Sequence, residues 1–212
     1  MGRGRHAGYD EQRETILACA AALFARGGYP GTSMNQVAQA CGLSKATLYH
    51  YYRDKYELLV NIAEGHVTRL QGIVDEAVAQ EATPVCRMRV LVRRLVEEYA
   101  SAQNAHRVLT EDVKFLQGAD RERILAKERE VVAAFAGVVA ALRPDLQQAA
   151  MSKPLTMLLF GMVNWMFTWM KPDGPLAYDD MAPVVTDLFL GGLGAVQAPQ
   201  LPAEITKTRR HA

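Results

Sequence analysis

With 212 residues, half of them hydrophobic and 22% charged, the chain has the composition of a folded globular protein and not of a disordered or fibrous one. The net charge of +1 excludes a uniformly basic coat, yet residues 1–55 carry seven Lys/Arg against four Asp/Glu, or +3, and the remainder 17 against 19, or −2. Cys19, Cys41 and Cys86 stand apart with no CxxC pair, so neither a metal site nor a disulfide framework is indicated, and the expectation is reduced, buried thiols in a cytoplasmic protein.

The opening "MGRGRHAGYD" is polar and lacks the apolar run of a secretory leader; residues 1–9 are expected to be a flexible basic arm. From Asp10, Ile16, Leu17, Ala20, Leu23 and Phe24 recur at helical spacing until "RGGYPG", where Gly27 and Gly28 suit a helix end. Ser33 with Gln36 forms a capping-box pattern for a helix through Ala40, Gly42 breaks it, and Ser44 can cap the next short helix. Asp54 with Glu57 starts a long helix of about seven turns, ending near Gln80. Pro84 opens a helix over 85–102, and a shorter one covers 104–116. Asp120 is the expected cap of "RERILAKEREVVAAFAGVVAALR", with Pro144 beyond its end.

The run Leu155–Met170 is shorter than the roughly 20 residues that cross a bilayer, and it includes Asn164. It reads as a buried helix, with no membrane expected. After the turn "KPDGP" a last helix spans roughly 179–196, and 199–212 are expected to be disordered. The fold class is all-α, about nine helices: a three-helix head over 10–55 and a larger bundle over 56–198.

Two short helices around a Gly-containing turn, "SMNQVAQACGLSKATLYHYY", have the layout of a helix-turn-helix. Val37, Ala38 and Leu43 supply its apolar contacts. Leu48 and Tyr52, four apart, share the face assigned to the core. Lys45, Thr47, Tyr49 and Tyr51 then fall on or beside the outward face, and Lys55 suits a phosphate better than it suits a helix start. Four tyrosines in eight residues cannot all be buried in so small a head, because each hydroxyl needs a partner. His50 fits either side.

"LFARGGYPGTSMNQVAQACGLSKATLYHYYRDKYELL" resembles the DNA-binding head of TetR-type regulators. The resemblance lies in Phe24, Gly28, Thr32-Ser33, Val37-Ala38, Gly42-Leu43-Ser44, Leu48-Tyr49, Tyr52 and Lys55; Tyr52 where Phe is commoner and Cys41 in the turn are small departures. It implies a homodimeric repressor on double-stranded operator DNA. Lys45, Ala46 and Thr47 would meet base edges, and Thr32, Tyr49, Tyr51 and Lys55 would hold phosphates. Ser33, Ser44 and His50 complete the expected contact set.

The resemblance further implies a bundle that dimerises and binds a small-molecule effector, with the long helix 55–80 as lever. Leu159, Phe160, Trp169, Leu188 and Phe189 are expected at the dimer interface. Phe115, Met157, Asn164, Trp165 and Thr168 are expected in the pocket, although ordinary core suits each residue of both sets. "LLFGMVNWMFTWMKPDGPL" resembles, more narrowly, regulators of fatty-acid or phenylacetate breakdown that sense acyl-coenzyme A. Arg87, Arg89, Arg93 and Arg94 would suit its phosphates, and a solvated basic face is the plainer alternative. A regulator sensing a hydrophobic ligand without coenzyme A remains open. An all-α enzyme is the remote alternative: no GxSxG, P-loop or dinucleotide fingerprint is present, so no catalytic residue, cofactor or metal is expected.

Overall fold

The computed structural model describes residues 3–80, 83–170 and 174–198, with side chains from Gly8 onward. Among them are ten α-helices, one 3₁₀ turn and no strand. They are α1 (Arg3–Gly27), α2 (Met34–Ala40), α3 (Lys45–Tyr51), α4 (Lys55–Ala79), α5 (Pro84–Ser101), α6 (Gln103–Asp112), the 3₁₀ turn Val113–Phe115, α7 (Gly118–Leu142), α8 (Pro144–Gln148), α9 (Ser152–Trp169) and α10 (Tyr178–Leu193).

Local chemistry explains most boundaries. The Ser33 hydroxyl accepts from Gln36 N (3.3 Å) while Ser33 N donates to Gln36 Oε1 (2.8 Å), closing the capping box that starts α2. Asp54 accepts from Glu57 N at 2.8 Å and starts α4; Thr83 accepts from Cys86 N at 3.2 Å ahead of Pro84. Gly28, at φ +75°, ends α1, and Gly42, at φ +66°, makes the turn after α2.

Four elements differ from expectation. α1 takes in residues 3–9, read from sequence as an arm; Gly4 and Gly8 cost a helix about 1 kcal/mol each, and no proline interrupts it. α7 begins at Gly118, so Asp120 lies in its first turn instead of capping it. The stretch after Asn104 ends as a 3₁₀ turn, and α8, five residues long, is too short to show periodicity. The expected tail 199–212 lies outside the described residues.

The chain packs as two compact units. The first holds the chain through Glu76 together with Leu95–Val131, and the second holds Ala77–Arg94 and the chain from Val132. In the first unit Ile16, Phe24, Val37, Leu48, Tyr52, Leu58 and Leu59 are buried together. Burial of each large apolar side chain stabilises by about 1.5–3 kcal/mol. In the second, Met88, Leu91, Val139, Leu146, Leu159, Val163 and Met166 form the core, and Phe135 meets Phe160 edge-on at 5.0 Å. Arg143 covers the end of α10, donating to the Leu193 carbonyl and to Val196 O (2.9 Å), while Asp145 accepts from it at 2.7 Å. No helix of the described residues is long and apolar enough to cross a membrane.

Candidate nucleic-acid interface

Ser44 caps α3: its hydroxyl accepts from Thr47 N at 3.0 Å and meets the Thr47 hydroxyl at 2.8 Å. Leu48 and Tyr52 are wholly buried, and the Tyr52 hydroxyl donates to Arg13 O at 3.4 Å while the Arg13 guanidinium lies 4.9 Å from its ring. That partner lets a tyrosine take a position that would otherwise strand a polar group. With those two facing inward, helical periodicity turns Lys45, Ala46, Thr47, Tyr49 and His50 to solvent. Tyr49 is 44% exposed, and the Lys45 ammonium sits 5.9 Å from its ring. Tyr51 is half-buried and stacks on Tyr9 at 4.8 Å. Tyr9 and Arg13 therefore support the face from α1, 39 or more residues away from their partners, where no local pattern marks them.

Four expected contact residues have internal duties. Thr32 is buried at 5% exposure and its hydroxyl donates to Gly28 O at 3.0 Å, tying down the end of α1. That side chain faces the interior of the head. Ser33 and Ser44 are exposed, with hydroxyls engaged as caps. Lys55 donates to Tyr29 O (2.8 Å) and Pro30 O (3.2 Å) and lies 4.4 Å from the Tyr29 ring, bracing the turn between α1 and α2. The Tyr29 ring also meets Phe115 at 5.4 Å, and the Tyr56 hydroxyl accepts from Gln117 N at 3.0 Å. Phe115, expected in a pocket, thus packs against the head's own turn.

A second polar group lies inside the same unit. His66 Nε2 is 3.2 Å from His106 Nδ1, Glu98 Oε1 is 3.4 Å from His66 Nδ1, and Arg69 donates to Glu98 at 2.7 Å. The Tyr99 ring stacks on His106 at 3.5 Å. These histidines have no ligand-like partner at i+3 or i+4, and they meet only because α4 and α6 pack across a gap of 40 residues. Burial raises Glu98, but hydrogen bonds from His66 and Arg69 outweigh it and hold the carboxyl below its ordinary value. Burial lowers His66, and it lowers His106, with His66 beside it, to about 3.

The sign of the resulting pH effect follows. Below the ordinary histidine value near 6.5, the unfolded chain takes up a proton at residue 106 that the folded chain refuses until about pH 3. Stability is therefore lost as pH falls through that window, by about 1.4 kcal/mol per unit. Between pH 7 and pH 5 the wild type is expected to lose about 2 kcal/mol more than His106→Gln, read from urea unfolding at both pH values; equal losses would contradict the burial of a neutral imidazole.

The second unit redistributes the expected bundle residues. On α9, Met157, Leu158, Trp165 and Trp169 are 50–66% exposed, with Gly161 and Thr168 on the same stripe; on α10, Val184 and Leu188 are exposed likewise. Leu159, Phe160 and Phe189, read as interface residues, are buried in the subunit, whereas Met157, Trp165 and Thr168, read as pocket residues, stand outside beside Trp169 and Leu188. An apolar helix without periodicity gives no phase for telling its faces apart. Asn164 is half-buried, and its buried Oδ1 has no hydrogen-bond partner among the described residues.

The α5 arginines divide in two. Arg87 and Arg94, seven apart, share one face, and Arg89 and Arg93, four apart, share the opposite one. Arg89 pairs with Asp187 at 2.6 Å, while Arg87 donates to Gln80 O at 3.1 Å and keeps a buried Nε with no acceptor among the described residues. An open cleft of about 480 Å³ within this unit is lined by Val85, Leu142 and Leu190, with Arg89, Arg143 and Asp187 at its charged edge.

An all-α chain that caps a short, basic and tyrosine-bearing helix on a glycine turn, and turns that helix's polar face to solvent, belongs to the class of helix-turn-helix regulators. The family model described as "Bacterial regulatory proteins, tetR family" matches residues 16–62, and "Tetracyclin repressor-like, C-terminal domain" matches residues 81–193. The chain belongs to the TetR family of transcriptional regulators. It is similar to a TetR-family transcriptional regulator of Bordetella parapertussis, at 34% identity and TM-score 0.81, over 88% of this chain and 98% of that one. The crystal structure of AibR in complex with isovaleryl coenzyme A and operator DNA is similar at 27% identity and TM-score 0.72, over 84% of this chain and 97% of that one. The transcriptional repressor KstR2 of Rhodococcus jostii is 25% identical over 191 residues, which cover 89% of this chain and 94% of the relative.

Proposed function

We propose that this chain is a homodimeric repressor that occupies a palindromic operator and leaves it when an acyl-coenzyme A thioester binds. Residues 10–55 would be its DNA-binding part and 56–198 its effector-binding and dimerising part. Lys45, Ala46 and Thr47 read base edges in this account, with Tyr49, Tyr51, His50 and Lys55 at the phosphates. Two such heads fit successive major grooves when about 34–36 Å separates their centres.

The observation that carries the reading is the outward face of α3, held by Leu48 and Tyr52, in a chain similar to a regulator seen with both isovaleryl coenzyme A and operator DNA. The buried Arg87 Nε, with no acceptor among the described residues, adds a donor for a phosphate oxygen in this account. An effector acts only through unequal affinity for the DNA-bound and free arrangements; about a 10²-fold preference supplies about 2.7 kcal/mol of coupling, enough to vacate an operator under competition.

Fluorescence anisotropy on DNA from upstream of the gene, titrated with fatty acyl-, isovaleryl- and phenylacetyl-coenzyme A and with the corresponding free acids, tests the reading. Release by one or more thioesters and by none of the acids is expected. Release by the acids, or by a hydrophobic molecule without coenzyme A, would replace the effector class and keep the repressor.

A further inference from the structure

The face that α3 turns to solvent does not end with α3. Tyr51, the last residue of that helix, has two aromatic neighbours: His50 meets its ring edge-on at 5.7 Å, and Tyr9 of α1 stacks on it at 4.8 Å with the planes 27° apart. One turn further along α1, the Arg13 carbonyl accepts from the Tyr52 hydroxyl at 3.4 Å. Ala20 and Ile16 are wholly buried, whereas Tyr9 is 36% exposed, so α1 runs out of the core and past the C-terminal end of α3. Beyond Tyr9 the helix continues back to Arg3, six residues or about 9 Å away.

Helical register sorts the charges of this stretch. At about 100° per residue, Arg5 and His6, four and three positions before Tyr9, and Arg13, four after it, lie within about 60° of Tyr9. Asp10, Glu11 and Glu14 lie about 100–200° away round the helix. One stripe of α1 therefore holds Arg5, His6, Tyr9 and Arg13 without a carboxylate, and Tyr9 ties that stripe to the end of α3. A cation in the first turn of a helix opposes its dipole, Gly4 and Gly8 lower its propensity, and no acid stands in that turn to offset them. An anion lying across the stripe removes the electrostatic part of that penalty.

We propose that Arg5 and His6, on the stripe that Tyr9 anchors to α3, are a second DNA-contacting element and take backbone phosphates next to those met by α3. This extends the DNA-binding reading, on which it rests, ahead of residue 10. A guanidinium and an imidazole donate to phosphate oxygens whatever the base sequence, so the element adds affinity without reading bases. Tyr9 is a positioning residue whose ring holds that of Tyr51. With a net charge of only +1, the chain has no general attraction for DNA, and a local cationic stripe counts accordingly.

Fluorescence anisotropy of the full-length protein across a salt series, on DNA from upstream of the gene and on a random-sequence duplex of equal length, tests the stripe. Arg5→Ala is expected to weaken binding to both duplexes by the same factor, about tenfold at 0.1 M salt, with an unchanged urea midpoint. Its salt slope should be shallower by about one per head. Arg5→Lys should restore the slope, and Arg3→Ala, about 120° round the helix from Tyr9, should cost less than about threefold. Tyr9→Ala should also weaken binding to both duplexes, whereas Tyr9→Phe, which keeps the stacking ring, should not. Wild-type affinity and slope in Arg5→Ala overturn the proposal, as does a loss confined to the upstream DNA. Equal losses at Arg3 and Arg5 overturn it too, because net charge and not the stripe would then be the cause. A wild type that binds the upstream DNA no better than the random duplex overturns the repressor reading instead. The slope on the random duplex still reports on the stripe in that case, so the two failures are distinguishable.

Discussion

Arginine at both Trp165 and Trp169 is expected to leave the chain folded but monomeric, with operator affinity reduced at least a hundredfold. The two indoles are 66% and 51% exposed, so neither belongs to the subunit core, and their loss should move the thermal midpoint of the isolated subunit little. They stand in one stripe with Met157 and Leu158, beside the exposed Val184 and Leu188 of α10. A continuous apolar surface of this kind on a folded subunit marks an interface more often than it marks solvent-exposed skin. A two-fold arrangement would bring four indoles into contact. If each loses on the order of 100 Å², burial of the indoles contributes about 10 kcal/mol before the costs of association, a large share of what a stable dimer needs. Arginines in those positions remove that contribution and set like charges across the axis. A monomer then holds one half-site only and forfeits the effective concentration of the second head. Sedimentation velocity and anisotropy on the same samples check the prediction: a doubly substituted chain that still sediments as a dimer would mean the interface lies elsewhere.

The swap between interface and core on α9 shows where sequence stops informing. Signals set by neighbouring residues were legible: the Ser33–Gln36 box, the Ser44 cap, the Asp54–Glu57 start and Pro84 at a helix start each depend on atoms within four positions, and each is present. The inward face of α3 was legible for the same reason, because Leu48 and Tyr52 stand out against polar neighbours. On α9 every face is apolar, so Leu159 and Trp165 differ only in what packs against them, which a hydrophobic pattern does not encode. The Thr32 hydroxyl serves a carbonyl of the preceding turn, which its sequence neighbours do not announce, and the Arg87–Arg94 set divides because 200° of helix separates residues two apart. The His66–His106 contact, the Cys19–Ala40 hydrogen bond and the Tyr29–Phe115 packing all join residues more than 20 positions apart; tertiary folding creates them, and no local periodicity announces them.

Two neighbouring positions on α3 should respond in opposite ways. Leu48 is wholly buried, and Leu48→Ala removes three carbons from a closed core and leaves a cavity, costing about 2–5 kcal/mol. Against a total stability of about 5–15 kcal/mol, that loss should be plain in urea unfolding, and operator binding should fall because the head no longer holds its shape. Tyr49 is 44% exposed and touches the head mainly through the Lys45 ammonium at 5.9 Å, so Tyr49→Ala should change stability by no more than about 0.5–1 kcal/mol. Its cost should appear on DNA instead, as a tenfold or greater rise in Kd, about 1.4 kcal/mol or more, because the hydroxyl and ring that meet the backbone are gone. Lys45→Ala should behave like Tyr49→Ala in unfolding. If Lys45 lies at a base edge, its effect depends on operator sequence, whereas the loss at Tyr49 is uniform across sequences. The comparison therefore needs both measurements on all three variants. A Tyr49→Ala protein that unfolds as early as Leu48→Ala would place Tyr49 in the core, and one that binds operator with wild-type affinity would remove it from the interface.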